Sequence, residues 1–159
     1  MAAAAANVWG MSDFVVWEDI PVRFRDTDAM GHVNNAVLLT YLEVARQAYW
    51  KRFSQRSDYA RVPFILARVC IDFRSQLRVD EIVRVHLRTI WISRRSFGMR
   101  YELRERDAAR LVAEAESVQV TYDYERQQVV EVPAWLRREL ETVEGKPLPP
   151  KENAAGGSR

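Results

Sequence analysis

Two aspartates, a histidine, a glycine and two asparagines fall within eleven residues near the start of the chain, Arg25-Asp26-Thr27-Asp28-Ala29-Met30-Gly31-His32-Val33-Asn34-Asn35. A long apolar helical pattern follows at once. A helix start with a glycine that lets the backbone come close is suited to stabilising a developing oxyanion, and acidic residues lie directly ahead of it here. The alternative is a turn with Asx hydrogen bonds and an N-cap. That alternative explains one aspartate and one asparagine, but not so many polar groups before a buried helix.

Length and composition exclude several other classes of protein. The 159 residues favour one domain with its own core, and 48% hydrophobic with 29% charged residues is typical of a soluble globular protein. A net charge of +2 is too small to indicate a nucleic-acid partner. One cysteine, Cys70, and two histidines, His32 and His86, exclude an internal disulfide and disfavour a metal site.

The two ends of the chain differ in composition from the middle. We expect a disordered N-terminal segment over residues 1–12, one domain over 13–144 and a disordered tail over 145–159, which holds three prolines and a Gly-Gly pair. No Lys or Arg precedes Arg23, so the basic region of a signal peptide is missing. No apolar run is long enough to span a bilayer. We therefore expect a cytoplasmic protein that does not act at a membrane.

The segment from Asn34 to Phe53 has the pattern of a helix. Its apolar stripe is so wide that the helix should be enclosed on most sides, with Glu43 on the narrow polar strip. Asn34 or Asn35 is suited to cap it. The residues of the central stripe are Leu38, Leu42, Ala45 and Tyr49.

Alternating patterns predict five strands. One covers Asp13 to Arg25, and four more follow the helix, with a β-bulge between Ala115 and Val118 where the apolar phase shifts. Residues 107–109 should form a hairpin connection, residues 54–59 a polar connection, and residues 133–142 a short terminal helix. The economical α+β arrangement is a curved antiparallel five-stranded sheet wrapped around one long helix. Exposed apolar positions on the outer face would indicate a second sheet packed back to back.

This order of elements resembles the hotdog fold and, more narrowly, the acyl-CoA thioesterases of the 4-hydroxybenzoyl-CoA thioesterase type. The resemblance runs from about Phe14 to Tyr124. It is carried by Arg25-Asp26-Thr27-Asp28, by Gly31-His32-Val33-Asn34-Asn35, by Tyr41-Leu42-Glu43-Val44-Ala45-Arg46, and by the later Arg94-Arg95-Ser96-Phe97.

The resemblance implies that Asp28 is the catalytic carboxylate. It either activates water or attacks the thioester carbonyl itself. A backbone N–H near Gly31 would stabilise the oxyanion. Asp26 is better explained as an acceptor that organises the loop than as a second base.

Three further residues of this region are candidates with structural alternatives. His32 is similar to the histidine of plant acyl-carrier-protein thioesterases, but Met30 stands where those enzymes carry an asparagine, so a role in shaping the loop is favoured. Asn35 faces the substrate in this scheme or caps the helix. Glu43 is a rival to Asp28, because some hotdog thioesterases take their carboxylate from this helix. The favoured alternative is that Glu43 pairs with a neighbouring polar side chain.

The segment Arg94-Arg95-Ser96 is the candidate site for coenzyme A phosphates, since guanidinium groups on a hairpin tip match phosphate oxygens. The alternative is a solubilising basic turn.

Together these features indicate an acyl-CoA thioesterase that releases a free acid and coenzyme A. It should need neither a metal nor a redox cofactor, and it should be a homodimer or a homotetramer. The alternatives are an acyl-carrier-protein thioesterase, a non-catalytic acyl-thioester-binding protein, a purely structural oligomeric β-protein, and a dehydratase on the same fold.

Overall fold

The computed structural model describes residues 13–53 and 63–151. Its elements are β1 (Val16–Pro21), a 3-10 turn (Phe24–Asp26), α1 (Asn35–Trp50), β2 (Phe64–Phe73), β3 (Ile82–Ile92), β4 (Ser96–Glu105), β5 (Leu111–Asp123), β6 (Gln128–Val129) and α2 (Ala134–Glu144). The predicted connection at 54–59 lies outside the described residues.

The strands form one antiparallel sheet in the order β1-β3-β4-β5-β2, with the short β6 paired to β5. The helix α1 packs on one face of this sheet, and its last aromatic residue, Trp50, contacts Phe64 of β2 and Phe97 of β4. The predicted antiparallel sheet with one long helix is confirmed. The sheet has six strands where five were predicted, and the terminal helix, predicted over 133–142, is α2.

The helix α1 begins where Asn34 caps it, because the Asn34 side chain accepts a hydrogen bond from the Ala36 amide. Its core face is the predicted stripe, widened by Tyr41 and Trp50. Within one protomer the helix is not enclosed on most sides as predicted, since a second stripe faces outward. This exposed α1 stripe consists of Ala36, Leu39, Thr40, Glu43 and Gln47.

The first strand is shorter than predicted. It ends at Pro21, and the Phe24 side chain, expected to be part of a strand, is 83% exposed. The cause is a hydrogen-bonded reversal in which the carboxylate of Asp26 accepts from the backbone amide of Arg23. This short-range bond bends the chain before the apolar alternation can continue as a strand.

The predicted β-bulge between Ala115 and Val118 is also wrong. Pairing of β4 with β5 is regular there, and the register shifts instead between Leu103 and Arg104. The apolar phase shifts in the sequence because polar residues occupy buried positions of β5. These residues are Ser117, Gln119 and Thr121.

The outer face of the sheet carries ion pairs beside the half-exposed Trp17 of β1, whose ring the Arg84 guanidinium covers. Ion pairs cross neighbouring strands there, from Arg84 to Asp19 at 2.7 Å and from Arg100 to Glu116 at 2.6 Å. Exposed apolar positions, which would indicate a second sheet, are thus present at Trp17 but not at these ion-paired positions. Trp91 packs across Gly98, where an added Cβ would overlap the indole ring.

The segment that follows α2 is packed onto the sheet as far as residue 151. Leu148 is buried, and the Ile92 amide donates to the carbonyl of Pro149 at 3.0 Å. The predicted disorder is thus wrong for residues 145–151, while residues 1–12 and 152–159 lie outside the described chain. Within residues 13–53 and 63–151, no helix has the length and apolar character needed to cross a membrane.

Candidate active site

The carboxylate of Asp28 is held at the surface by the loop that precedes α1. Its Oδ1 atom accepts a hydrogen bond from the Met30 amide at 2.8 Å and a longer one from the His32 amide at 3.4 Å. The backbone amide of Asp28 donates to the carbonyl of His32 at 2.8 Å. The backbone thus fixes one carboxylate oxygen on an exposed residue and leaves the other free of those amides.

Two residues earlier, Asp26 serves as the anchor of the same loop. Its carboxylate accepts from the Arg23 guanidinium at 2.9 and 3.0 Å, from the Arg23 amide, and from the Tyr41 hydroxyl of α1 at 2.8 Å. The hydrogen bonds from Arg23 lower the pKa of Asp26 to about 2 although it is buried. These contacts agree with the interpretation of Asp26 as a loop-organising acceptor.

Gly31 turns the loop back toward the helix. Its φ of 76° lies in the left-handed region, where a side chain is strained. Its amide donates to the carbonyl of Asp28 at 3.0 Å. The Gly31 N–H is therefore engaged within the turn.

The backbone amide of Asn35, the first of α1, is unpaired within the described part of the chain. The neighbouring amides are paired, Val33 with the carbonyl of Leu77, Asn34 with that of Asp26, and Ala36 with the Asn34 side chain. The amide of Asn35 has no acceptor among the described residues, as expected for the first residue of a helix. A free N–H and the positive end of the helix dipole meet there.

His32 takes part in this loop through its backbone. Its carbonyl accepts from Asp28, and a β-bridge joins it to Arg78 at the end of the β2–β3 connection. The residue is half-buried.

The other predicted residues lie away from Asp28 in the same protomer. Glu43 sits on the exposed α1 stripe, eight residues after Asn35 and hence about 12 Å along the helix. Arg94 and Arg95 lie in the β3–β4 connection and Ser96 is the first residue of β4, beside the far end of α1 where Trp50 packs on Phe97. One protomer brings Asp28, Gly31, His32 and Asn35 together but not the basic segment.

The β3–β4 connection itself is tied to the rest of the chain. The Arg94 guanidinium donates to Glu131 at 2.7 Å, and the carbonyl of Arg95 accepts from the amide and hydroxyl of Thr121. The Ser96 hydroxyl contacts that of Ser93 at 2.9 Å. Arg95 is exposed on a connection whose backbone is fixed.

Beside the second half of α1 lies a cleft of about 420 Å³. Its lining is aromatic and aliphatic, with several polar side chains, and it includes Glu43. We call it the α1–β2 cleft; it is lined by Glu43, Arg46, Gln47, Trp50, Phe64, Ile65, Leu66, Gln119 and Tyr124. Our sequence analysis missed Gln119, whose signal was the shifted apolar phase of β5.

In the described part of the chain, no three acidic, histidine or cysteine side chains cluster as metal ligands would.

Two sequence comparisons find relatives of this chain. Residues 22–140 match the family model described as the thioesterase-like superfamily. A curated relative, the uncharacterised protein YsmA of Bacillus subtilis, is 27% identical over 90 residues, which are 57% of this chain and 61% of that protein. The matched segment thus spans less than two thirds of the curated relative.

Solved structures share the fold. A thioesterase from Thermus thermophilus, crystallised with coenzyme A and zinc, superposes with a TM-score of 0.78 at 32% identity, covering 87% of this chain and all of that one. A 1,4-dihydroxy-2-naphthoyl-CoA thioesterase from Synechocystis gives a TM-score of 0.70 at 19% identity, covering 79% and 94% of the two chains. The second likeness is one of fold.

Proposed function

Because the chain belongs to the thioesterase-like superfamily, whose model matches residues 22–140, we propose that it hydrolyses an acyl-CoA to a free carboxylic acid and coenzyme A. The observation that carries this proposal is the exposed Asp28 carboxylate, held by backbone amides beside the free N–H at the start of α1. The resemblance to hotdog thioesterases is thus confirmed at the level of the family. Since the substrate is a coenzyme A ester, we place the reaction in the cytoplasm.

In this proposal Asp28 supplies the carboxylate and Asn35 the oxyanion donor. The Gly31 amide is already bonded to the carbonyl of Asp28, so the backbone donor expected near Gly31 is better assigned to the Asn35 amide. A thioester carbonyl placed there would develop its negative charge at the positive end of α1. Gly31 then acts by shaping the turn and His32 by holding Asp28 through its backbone.

Two routes complete the reaction. As a general base, Asp28 takes a proton from water, which attacks the carbonyl carbon and expels the thiolate of coenzyme A. As a nucleophile, it forms a mixed anhydride as the thiolate leaves, and water then releases the acid. Single turnover in ¹⁸O-labelled water followed by mass spectrometry of the enzyme separates the routes, because water attack at the Asp28 carbonyl of the anhydride labels the protein.

A homodimer would bring the separated parts together. Among the described residues β2 is an edge strand that exposes Ile65, Leu66 and Phe73, and the exposed α1 stripe lies beside it. A two-fold axis beside the middle of α1 makes the two helices antiparallel. The Asp28 loop of one protomer then lies near the α1–β2 cleft of the other. Light scattering separates this dimer from a homotetramer packed back to back through the outer face of the sheet.

Coenzyme A phosphates are assigned to Arg95 with Arg94 and Ser96. Arg94 already pairs with Glu131, so Arg95 is the guanidinium we expect to matter more. In Arg95→Gln the KM for acyl-CoA should rise several-fold, while the KM for the matching acyl-pantetheine, which lacks the nucleotide, should stay constant. Equal changes for both substrates would remove the phosphate role.

The test of the proposed function is thiol release from short, long and aromatic acyl-CoAs. Asp28→Asn keeps the size of the side chain but removes its basicity, and kcat should fall by at least about a hundredfold. Asp107→Asn is the matched control, because Asp107 makes a surface ion pair with Arg106 in the β4–β5 hairpin. It should leave kcat unchanged.

Each other outcome has a definite meaning. Turnover that survives Asp28→Asn moves the catalytic carboxylate to Glu43, which Glu43→Gln then tests. Acyl-CoA that raises the melting temperature without being cleaved supports the non-catalytic binding protein. Cleavage confined to acyl-carrier-protein thioesters supports that alternative.

A further inference from the structure

A buried amide at the base of the α1–β2 cleft has no partner for its oxygen. Gln119 is 0% exposed, and its Oε1 atom has no hydrogen bond among the described residues. A buried acceptor without a donor is destabilising, so such atoms are rare in folded proteins. Because Gln119 also lines the cleft, a ligand in the cleft can supply the missing donor.

The other end of this amide is firmly placed. Gln119 Nε2 donates to the Ser117 hydroxyl at 2.8 Å, and that hydroxyl lies 2.8 Å from the hydroxyl of Tyr101. Arg46 in turn donates to Tyr101 at 3.4 Å. If Ser117 donated to Gln119 instead, the amide would turn over and Nε2 would be left unpaired. In both orientations one polar atom of Gln119 remains for a ligand.

The surroundings of the free atom are mainly apolar. Trp50, Phe64 and Leu66 line the same cleft, and Leu66 pairs with Gln119 across the β2–β5 ladder. Ligand pockets of this kind combine an apolar wall with a few polar groups that fix orientation. Since Gln119 is buried, a ligand reaches its amide when a lining side chain moves. Leu66 and Tyr124, 45% and 60% exposed, have the room to do so.

We propose that Gln119 selects acyl groups that carry a hydroxyl, by pairing with that hydroxyl at the base of the cleft. This inference rests on the proposed function and names the substrate class of the same site. A hydroxyl is both donor and acceptor, so it pairs with whichever atom of the amide is free. An unsubstituted acyl group leaves the amide unpaired, and a site built in this way discriminates strongly against such an analogue.

The test compares kcat/KM for matched pairs of acyl-CoAs that differ by one hydroxyl. One pair is aliphatic, a 3-hydroxyacyl-CoA and its unsubstituted counterpart of equal length. The other is aromatic, a hydroxybenzoyl-CoA and benzoyl-CoA. We expect the wild-type enzyme to prefer the hydroxylated member of at least one pair by roughly tenfold or more, and the pair that shows the preference identifies the carrier of the hydroxyl.

Gln119→Met provides the variant, because methionine has a similar length but offers a hydroxyl only a weak thioether acceptor and no donor. The preference should fall to about one, through loss of activity on the hydroxylated substrate. Phe64→Leu is the matched control from the apolar wall of the cleft; it should lower kcat/KM for both members of a pair and leave their ratio unchanged. If Gln119→Met does not fold, Gln119→Leu takes its place, and equal wild-type kcat/KM within both pairs overturns the inference in any case.

Failure of this inference differs from failure of the proposed function. Equal kcat/KM for both members of both pairs in the wild type, or a preference that Gln119→Met retains, overturns the role of Gln119 and leaves the thioesterase intact. If no acyl-CoA is cleaved, the same pairs are compared by calorimetry. Tighter binding of the hydroxylated member, lost in Gln119→Met, then supports the inference without the activity, and equal binding overturns it.

Discussion

The two ends of α1 are each held by a buried carboxylate that accepts a tyrosine hydroxyl from the helix. At the N-terminal end Tyr41 donates to Asp26 at 2.8 Å, and at the C-terminal end Tyr49 donates to Glu144 at 2.7 Å. A backbone amide donates to each carboxylate as well. The two sites differ in what neutralises the charge.

Asp26 has the Arg23 guanidinium on both of its oxygens, and its pKa is lowered to about 2. Burial of Glu144 instead raises the pKa of that carboxyl, against the hydrogen bonds from Tyr49 and Thr89. Arg88 Nε lies 3.9 Å from Glu144 Oε2, and both atoms lack a hydrogen-bond partner in the described part of the chain.

The difference indicates a division of labour along α1. The fully paired end carries the loop with Asp28, whose position the proposed chemistry requires to be fixed. The buried polar atoms without a partner in the described chain, on Arg88, Gln119 and Glu144, lie toward the other end, where Trp50 borders the α1–β2 cleft. The end of α1 whose carboxylate is fully paired thus carries the Asp28 loop. The end with unpaired polar atoms borders the cleft that we expect to take the acyl group.

The largest effect on this comparison should come from Asp26→Asn. It leaves the Arg23 guanidinium without its counter-charge and turns an amide toward the donors, so the free energy of unfolding should fall by about 3 kcal/mol. The melting temperature should drop by roughly 10 °C. Asp19→Asn is the control, because Asp19 pairs with Arg84 at 2.7 Å but is one-third exposed; it should cost less than about 1 kcal/mol. Equal losses of unfolding free energy in the two variants would show that burial of Asp26 adds nothing to the stability that its ion pair provides.

The loss of stability at low pH should depend on the same carboxylate, that of Asp26. The pKa of Asp26 is lower in the folded chain than in the unfolded one, so its contribution is complete above the ordinary value of 3.8 and is lost as the pH falls toward 2. This contribution amounts to up to about 2 kcal/mol. Denaturant unfolding of the wild type and Asp26→Asn between pH 2 and pH 6 should give curves that converge at low pH. Parallel curves would contradict the assignment.

Part of this arrangement was predictable from the sequence. The start of α1 at an asparagine cap, the antiparallel strands and the β4–β5 hairpin follow from local patterns, and they were confirmed. The anchors of α1 were not predictable, because Tyr41 and Asp26 are 15 residues apart and Tyr49 and Glu144 are 95 apart. Such bonds depend on how the elements pack, which no local pattern contains.

The errors share a physical cause. Phe24 and the inward polar residues of β5 have the wrong polarity for their burial, so a rule that equates apolar with buried misplaced both β1 and the bulge. At Gln119, which Ser117 holds by a hydrogen bond, the buried polar residue lines the α1–β2 cleft. The Asp28 loop could be predicted as a candidate site because its polar residues are contiguous in sequence, whereas the cleft is assembled from three elements, α1, β2 and β5, and from Tyr124 after β5.

Substitution of two glycines distinguishes an effect on the Asp28 loop from a general loss of stability. Gly31 and Gly145 both have φ near 70°, and an added Cβ would meet no atom within 4 Å at either position. Gly31→Ala and Gly145→Ala should therefore each lower the free energy of unfolding by about 1 kcal/mol through backbone strain. Only Gly31→Ala should also lower kcat, by roughly tenfold to a hundredfold, because it displaces Asp28. Steady-state kinetics and unfolding of both variants check this, and an equal loss of kcat in the two would remove the special role of the loop.

The smallest effect should come from Glu144→Gln at the other end of α1. Because the pKa of Glu144 is raised by folding, the folded chain favours the protonated carboxyl, and the stability that this proton provides is lost as the pH rises through the folded pKa. The groups around it, Tyr49 of α1, Arg88 and Thr89 of β3 and Lys146 beyond α2, donate hydrogen bonds or carry positive charge.

Glutamine resembles the protonated form and does not titrate. The stability of the variant relative to the wild type should therefore improve from pH 4 to pH 8, whereas that of Asp26→Asn should worsen from pH 2 to pH 6. Denaturant unfolding of the two variants along both pH ranges measures these slopes, and slopes of the same sign would mean that the two ends of α1 are held in the same way.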